Sequence, residues 1–276
     1  MASSGRTGFT AHRLTTGRGN SVLVADFQPV STVRRLGALL GDQGTDLAVC
    51  QLDPAQDLTR GAALTSLDEM AAEYAASFQA VDSAPRTTVI GYCSAAALAL
   101  RIADRLAQDE IGRRRRVDVL LARPTWPDEE LIGLILAKIR SDLGAETGPA
   151  DKALAGLDLS GTAAESLIAV EELLRSDLRA LAAMHGLDPD SGPMRELLGR
   201  FRGWLGFLLT ARSALRSPWV RGLSVQVCAD VTDNAYVPWF EPGSYAVATA
   251  RFSEDEAAAG AELARALLGR LGEPRA

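Results

Sequence analysis

Five apolar runs with few polar interruptions constrain this chain more than any other feature: "SVLVADF" (21–27), "DLAVCQL" (46–52), "TTVIGY" (87–92), "VDVLLA" (117–122) and "LSVQVCA" (223–229). A strand with one wet face alternates apolar and polar residues, whereas a run that is apolar almost throughout must be covered on both faces, as in parallel sheets with crossover helices. Helix-period segments lie between and after these runs, at 31–41, 66–80, 94–109, 128–143 and 253–271. Ser66 with Glu69, and Ser253 with Glu256, have the spacing of capping boxes at two of the helix starts. The pattern predicts an α/β fold with a mostly parallel sheet flanked by helices. From 149 to 217 no strand-like run occurs, and three helical patterns are separated by "GLDLSG", "HGLDPDSGP" and "SPW". Such an insert between the fourth and fifth of these strands predicts a lid over a site at the strands' carboxyl ends. Residues 1–20 then read as a flexible lead-in, 21–148 with 218–276 as the core, and 149–217 as the helical lid.

Bulk properties remove several function classes. The chain has 276 residues, a formal net charge of −6 and 5% aromatic residues, which argues against a nucleic-acid partner. No apolar run reaches the ~18 residues of a membrane span. The first twenty residues lack an apolar signal core, so a cytoplasmic protein is expected. Three cysteines, Cys50, Cys93 and Cys228, form no C-x-x-C pair. Neither a disulfide framework nor a zinc site is suggested, and no cofactor or metal is called for. Cys50 and Cys228 sit in apolar strand segments, where a reduced cysteine packs as a small hydrophobe.

Cys93 has different surroundings. "VIGYCSAAALALRIADRL" runs from a strand through Gly91, Tyr92, Cys93, Ser94 and Ala95 into a helix. A strand leading into G-x-nucleophile-x-small and then a helix is a nucleophile elbow: the sharp turn tolerates only small neighbours and lifts the central side chain above the sheet. A thiol there sits at a helix N-terminus, whose unpaired N–H groups favour thiolate. The backbone N–H of Ser94 becomes a candidate oxyanion-hole donor. The competing reading makes Cys93 a small residue in an ordinary strand-to-helix turn.

With these residues in view, the sequence resembles the α/β-hydrolase thioesterases, especially the stand-alone type II thioesterases of polyketide and nonribosomal peptide synthesis. "VLVADFQPVSTVRRLGALL" resembles their first strand, oxyanion loop and first helix, and "SLDEMAAEYAASF" the helix before the elbow. "VIGYCSAAALALRIADRL" is similar to their V-x-G-x-S-x-G-G segment. The resemblance implies an α/β-hydrolase fold with a helical lid insertion, and thioester substrates. It implies a partner too: an acyl or peptidyl carrier protein with a phosphopantetheine-linked acyl chain.

Several positions depart from that pattern. Cysteine replaces the family serine, and "FQPVST" replaces the Gly-Gly of the oxyanion loop, leaving Gln28 as a backbone donor. The acidic residue maps onto "ADVTD", at Asp233 with Asp230 beside it. The family histidine maps onto "WFEPGSYAVATARF", at Ser244 or Tyr245. Two histidines exist. His12 precedes the first strand; His185, in the lid segment beside Gly186, reads either as a catalytic base that folds over Cys93 or as a helix C-terminal residue, where a partly charged imidazole is suited on structural grounds alone.

Chemistry separates the possible activities. A thiol attacks an acyl thioester and expels another thiolate of similar pKa, so exchange needs little acid assistance. Hydrolysing the acyl-cysteine requires deprotonation of water. The sequence therefore predicts an acyl-Cys93 intermediate that is transferred to another nucleophile or slowly hydrolysed. A catalytically degenerate relative that binds a carrier protein or its cargo is the alternative, and oxygen-ester hydrolysis suffers from the missing proton donor. Arg113–Arg116 after the elbow helix reads either as a solvated helix-end cluster or as a docking patch for an acidic carrier. Phe201, Trp204, Leu205, Phe207 and Leu208 read either as packing or as the wall of an acyl tunnel.

Overall fold

A computed structural model describes residues 8–26, 35–43, 46–60, 64–108, 115–125, 127–145, 156–214, 223–229, 245–249 and 256–272. The chain divides into two compact units, one made of residues 1–54, 67–126 and 217–276, the other of 55–66 and 127–216.

The first unit is built on a seven-stranded sheet. Its strands are β1 (His12–Arg13), β2 (Ser21–Ala25), β3 (Ala48–Leu52), β4 (Arg86–Tyr92), β5 (Arg116–Ala122), β6 (Ser224–Ala229) and β7 (Tyr245–Thr249), in the spatial order β1-β3-β2-β4-β5-β6-β7. Every pairing is parallel except β1 with β3. All five apolar runs are strands. β2 and β3 are buried along their whole length, the consequence expected of a sheet covered on both faces. β7 was not among them. "YAVAT" is short, yet Tyr245, Val247 and Thr249 alternate with alanine at the two-residue period of a strand.

Helices cover the two faces. Val22, Val24, Ile90, Leu120, Ala122 and Cys228 share one face and pack with Leu36 and Leu40 of α1 (Leu36–Gly41) and with Leu263, Ala264 and Leu267 of the C-terminal helix Glu256–Gly272. The opposite face carries the helix that follows β4, Ala96–Gln108, which packs on the helix Leu67–Val81. In chain order these become α2 (Pro54–Arg60), α3 (Leu67–Val81), α4 (Ala96–Gln108), α5 (Glu129–Asp142), α6 (Ala163–Met184), α7 (Gly192–Ala214) and α8 (Glu256–Gly272).

Strand order reverses between β2 and β4: from β2 the chain moves outward to β3 and then returns to β2's other side. Open α/β sheets bind ligands outside the carboxyl ends of the strands at such a reversal, which here are the ends of β2 and β4.

The second unit is helical, with α5, α6 and α7 and the segment 55–66. It extends well before residue 149, starting at 127, because α5 pairs with α6: Arg140 forks onto Asp177, Nε to Oδ2 at 2.7 Å and Nη2 to Oδ1 at 3.3 Å, both side chains largely buried. Thr162 and Glu165 form the observed capping box, at the start of α6. Phe201, Leu205, Phe207 and Leu208 are buried in α7, which packs against α6. They are therefore packing residues of that unit.

Candidate functional site

β4 ends at Tyr92, a single 3₁₀ turn spans Cys93–Ala95, and α4 starts at Ala96. Two constraints make this turn. Cys93 has φ 52°, in the left-handed region that costs a residue with a Cβ about 1–3 kcal/mol unless its surroundings enforce it. Gly91 lies so close to α4 that an added Cβ would stand 2.7 Å from Ala99 Cβ and 2.8 Å from Ala96 Cα. Glycine at 91 and alanines at 95, 96 and 99 thus bring α4 against the strand, and the bend falls on Cys93.

Thr125 closes the turn from the neighbouring strand's exit. Its N–H donates to the Cys93 carbonyl at 3.3 Å, and its Oγ1 lies 2.9 Å from Cys93 Sγ. Arg123, one residue beyond β5, is the second non-glycine residue with a left-handed backbone, φ 44°, and donates its N–H to Cys228 O at 2.7 Å. Both strained positions stand at the carboxyl edge of adjacent strands. Strain held in place by its surroundings concentrates at functional sites.

The thiol is not the thiolate that a helix N-terminus alone suggests. Burial pushes the Cys93 pKa up, and the negative charge of Asp26 adds to that; the Thr125 hydroxyl, the Ser94 N–H and the Arg123 charge pull the other way without prevailing. Desolvation is the largest of these effects, because burial in a low-dielectric surrounding disfavours the charged form of the thiol. Cys93 is half-buried, whereas Cys50 and Cys228 are fully buried core residues.

Asp26 is the residue that the sequence reading passed over. It follows Ala25, whose register partner is Gly91, so it stands at the carboxyl end of β2 beside the end of β4. It is 1% exposed. Oδ2 accepts the Leu36 N–H at 2.9 Å, while Oδ1 is buried with no hydrogen-bond partner among the described residues. Its pKa is raised to about 6, chiefly by burial; the Leu36 N–H and Arg35 hold it down, and Asp53 pushes it up. Arg35 pairs with Asp53, which directly follows β3. The available signal was an acidic residue ending an otherwise apolar strand, "SVLVAD".

The other candidates distribute unevenly. Ser94 adjoins Cys93, and its backbone N–H donates to the sulfur. Gln28 and Asp233, with Asp230 and Ser244, lie outside the described residues. Tyr245 begins β7 opposite Val225, in the same row across the sheet as Val119 and Val89, four residues short of Cys93 along β4. His185 is the exposed C-cap of α6 and belongs to the other compact unit. His12 lies in β1 opposite Gln51. Of the arginine run, Arg115 is buried with its Nη2 donating to Asp82 O at 2.7 Å, and Arg116 pairs with the buried Asp118. Their charges neutralise carboxylates of this same chain. No group of three or more His, Cys, Asp and Glu suited to a metal occurs among the described residues. Nor is any described helix long and apolar enough to cross a membrane.

Solved structures similar to this chain include thioesterases and thioesterase domains. One is the Vlm2 thioesterase domain with genetically encoded 2,3-diaminopropionic acid bound with a dodecadepsipeptide, at TM-score 0.59 and 14% identity, over 96% of this chain and 99% of that one. The NocB thioesterase domain, in covalent complex with a fluorophosphonate nocardicin G analog, matches at TM-score 0.53 and 18% identity, over 95% and 100%. YbtT, a type II thioesterase from the yersiniabactin NRPS/PKS pathway, matches at TM-score 0.52 and 15% identity, over 95% and 96%. No protein-family model and no curated protein matches the sequence. With its strand order and its strained turn after β4, the chain has the α/β-hydrolase fold seen in those thioesterases.

Proposed function

We propose that the protein acts on acyl thioesters through an acyl-Cys93 intermediate, passing the acyl group to another nucleophile or releasing it slowly to water. The supporting observation is the turn itself: a nucleophilic side chain held at φ 52° at the carboxyl end of β4, where the strand order reverses, with Gly91 fitted under α4. An ordinary strand-to-helix connection has no need of a left-handed cysteine. The substrate class follows from the sulfur. Thiol–thioester exchange replaces one thiol leaving group by another of similar pKa, so it proceeds without a strong acid. The carrier is proposed to be an acyl or peptidyl carrier protein bearing a phosphopantetheine thioester, in keeping with the NRPS/PKS origin of YbtT. Residues 149–217 are proposed to form the lid of the site, and the Ser94 N–H to serve in the oxyanion hole, with Gln28 and Asp233 as further contributors.

Incubation with an acyl-pantetheine thioester tests this by intact mass. Wild type is expected to gain the acyl mass and Cys93→Ala to gain none; an unmodified wild type, or a modified Cys93→Ala, overturns it.

A second reading draws on the raised pKa of the thiol. A neutral cysteine without a histidine suits a degenerate thioesterase that binds a carrier protein or its cargo. Carrier binding without an adduct would select it.

A further inference from the structure

Two groups meet at the point where strand order reverses. Adjacent strands lie ~4.8 Å apart, so the residue after Ala25 and the residue two after Gly91 stand at neighbouring strand ends. These are Asp26 and Cys93, and the carboxylate's charge acts on the sulfur, adding to the larger effect of burial in opposing its ionisation. One carboxylate oxygen is fixed by the Leu36 N–H, which sets the orientation of the group, and the other is buried without a partner among the described residues. An unpaired buried carboxylate oxygen is expensive, and most such oxygens in folded proteins find a donor. Fixing the start of α1 does not account for it, because that contact uses Oδ2 alone.

We infer that Asp26 is the proton acceptor of this site, its free Oδ1 standing in for the missing histidine; the inference rests on the reading of Cys93 as nucleophile. In the first step the Cys93 S–H bond breaks as its proton passes to Asp26, directly or through one water, and Sγ bonds to the thioester carbonyl carbon. The carbon–sulfur bond to the carrier thiol then breaks, and that sulfur leaves with the proton that Asp26 returns. In the second step Asp26 takes a proton from water or from the acceptor nucleophile as its oxygen or nitrogen bonds to the acyl carbon. The C–Sγ bond breaks, and the proton ends on Cys93. No oxidant or further reactant enters either step.

The charged and titratable groups around Asp26 set its working range. Arg35 before α1 favours the carboxylate and Asp53 after β3 opposes it, burial being the larger effect. Tyr92 flanks it on β4, Cys93 follows in the turn, and Arg123 after β5 acts on the sulfur. The resulting pKa of about 6 leaves Asp26 ionised, hence able to accept a proton, near neutral pH.

Asp26→Asn separates this role from a structural one, because the two predict opposite signs. Removing the charge lowers the Cys93 pKa, so alkylation by iodoacetamide becomes faster or stays equal. Removing the acceptor slows acylation by an acyl-pantetheine thioester, by about 100-fold at pH 7, the lower end of general-base contributions. The wild-type acylation rate should rise through a midpoint near pH 6, and the variant should lack that limb. Acylation of Asp26→Asn that keeps the wild-type rate, or accelerates together with alkylation, overturns the role of Asp26 while leaving Cys93 as nucleophile. Absence of any adduct in wild type overturns both. Far-UV circular dichroism and the alkylation rate report whether the turn is intact; if Asn is not tolerated, Asp26→Ser, which keeps an oxygen for the Leu36 N–H, is read in the same way.

Discussion

Two buried aspartates, Asp82 at the amino edge of the parallel sheet and Asp26 at its carboxyl edge, are held in opposite ways. At the amino edge Asp82 is surrounded by donors. Ser21 Oγ donates to Oδ2 at 2.6 Å, the Ala84 N–H to Oδ2 at 3.2 Å and Arg13 Nη2 to Oδ1 at 3.3 Å. Arg115 lies 3.6 Å from Oδ2, donates to the Asp82 carbonyl and stacks on the Phe78 ring 5.3 Å from its centroid. At the carboxyl edge Asp26 has one N–H donor and, among the described residues, one oxygen without a hydrogen-bond partner, near the strained Cys93. A saturated buried charge holds segments together, whereas an under-saturated one keeps its proton chemistry available. The contrast holds between these two carboxylates: Asp82 ties segments together, and Asp26 keeps an acceptor oxygen in reserve.

The largest effect should come from breaking the saturated edge. Asp82→Ala leaves the buried Arg115 without its carboxylate, a loss of about 3–5 kcal/mol for an uncompensated buried charge, read from the denaturant midpoint. Burial already holds the Arg115 pKa below its ordinary value, so the guanidinium has no spare solvation.

Asp26→Asn should behave in the reverse manner. The folded pKa of Asp26 is raised from 3.8 to about 6, so the folded state binds its proton more tightly than the unfolded chain. Its contribution to stability is fully present below pH 3.8 and lost as pH rises through about 6. Relative to wild type, the variant should therefore gain roughly 2–3 kcal/mol between pH 4 and pH 7.5, seen as diverging Tm values across that window. A constant difference across the window would remove Asp26 from the comparison.

Gly91→Ala tests the packing that forces the bend. Its Cβ would meet backbone and Cβ atoms of α4 that have no flexible end to move, so a loss of about 1–3 kcal/mol is expected, together with altered alkylation of Cys93. Cys93→Gly should gain up to about 1 kcal/mol by relieving the left-handed strain, since glycine adopts φ 52° freely. The smallest change belongs to Thr125→Val, which deletes the hydroxyl 2.9 Å from the sulfur. That hydroxyl lowers the Cys93 pKa, so the variant should alkylate more slowly at neutral pH with little change in Tm.

Much of the fold was legible because it is written in local periodicity. Apolar runs marked five strands, helix-period segments marked the helices between them, and "GYCSAA" marked the turn through its succession of small residues. Less visible was β7, where five residues carry too little pattern to separate a strand from a loop. The site was legible only at Cys93. Thr125 and Arg123 reach it across a strand boundary, and Asp26 arrives from a segment 67 positions earlier in the chain. Arg115 and Arg116 misled for the same reason, since a run of arginines gives no sign of the carboxylates awaiting it.

The sequence by itself determined which segments become strands and helices and where the chain must bend sharply, because side-chain periodicity and steric size act between near neighbours. Only the tertiary structure decided which charges are saturated and which are left alone. Desolvation and ion pairing depend on groups brought together from distant segments, and for Asp26 and Cys93 that environment outweighs anything encoded beside them in the chain.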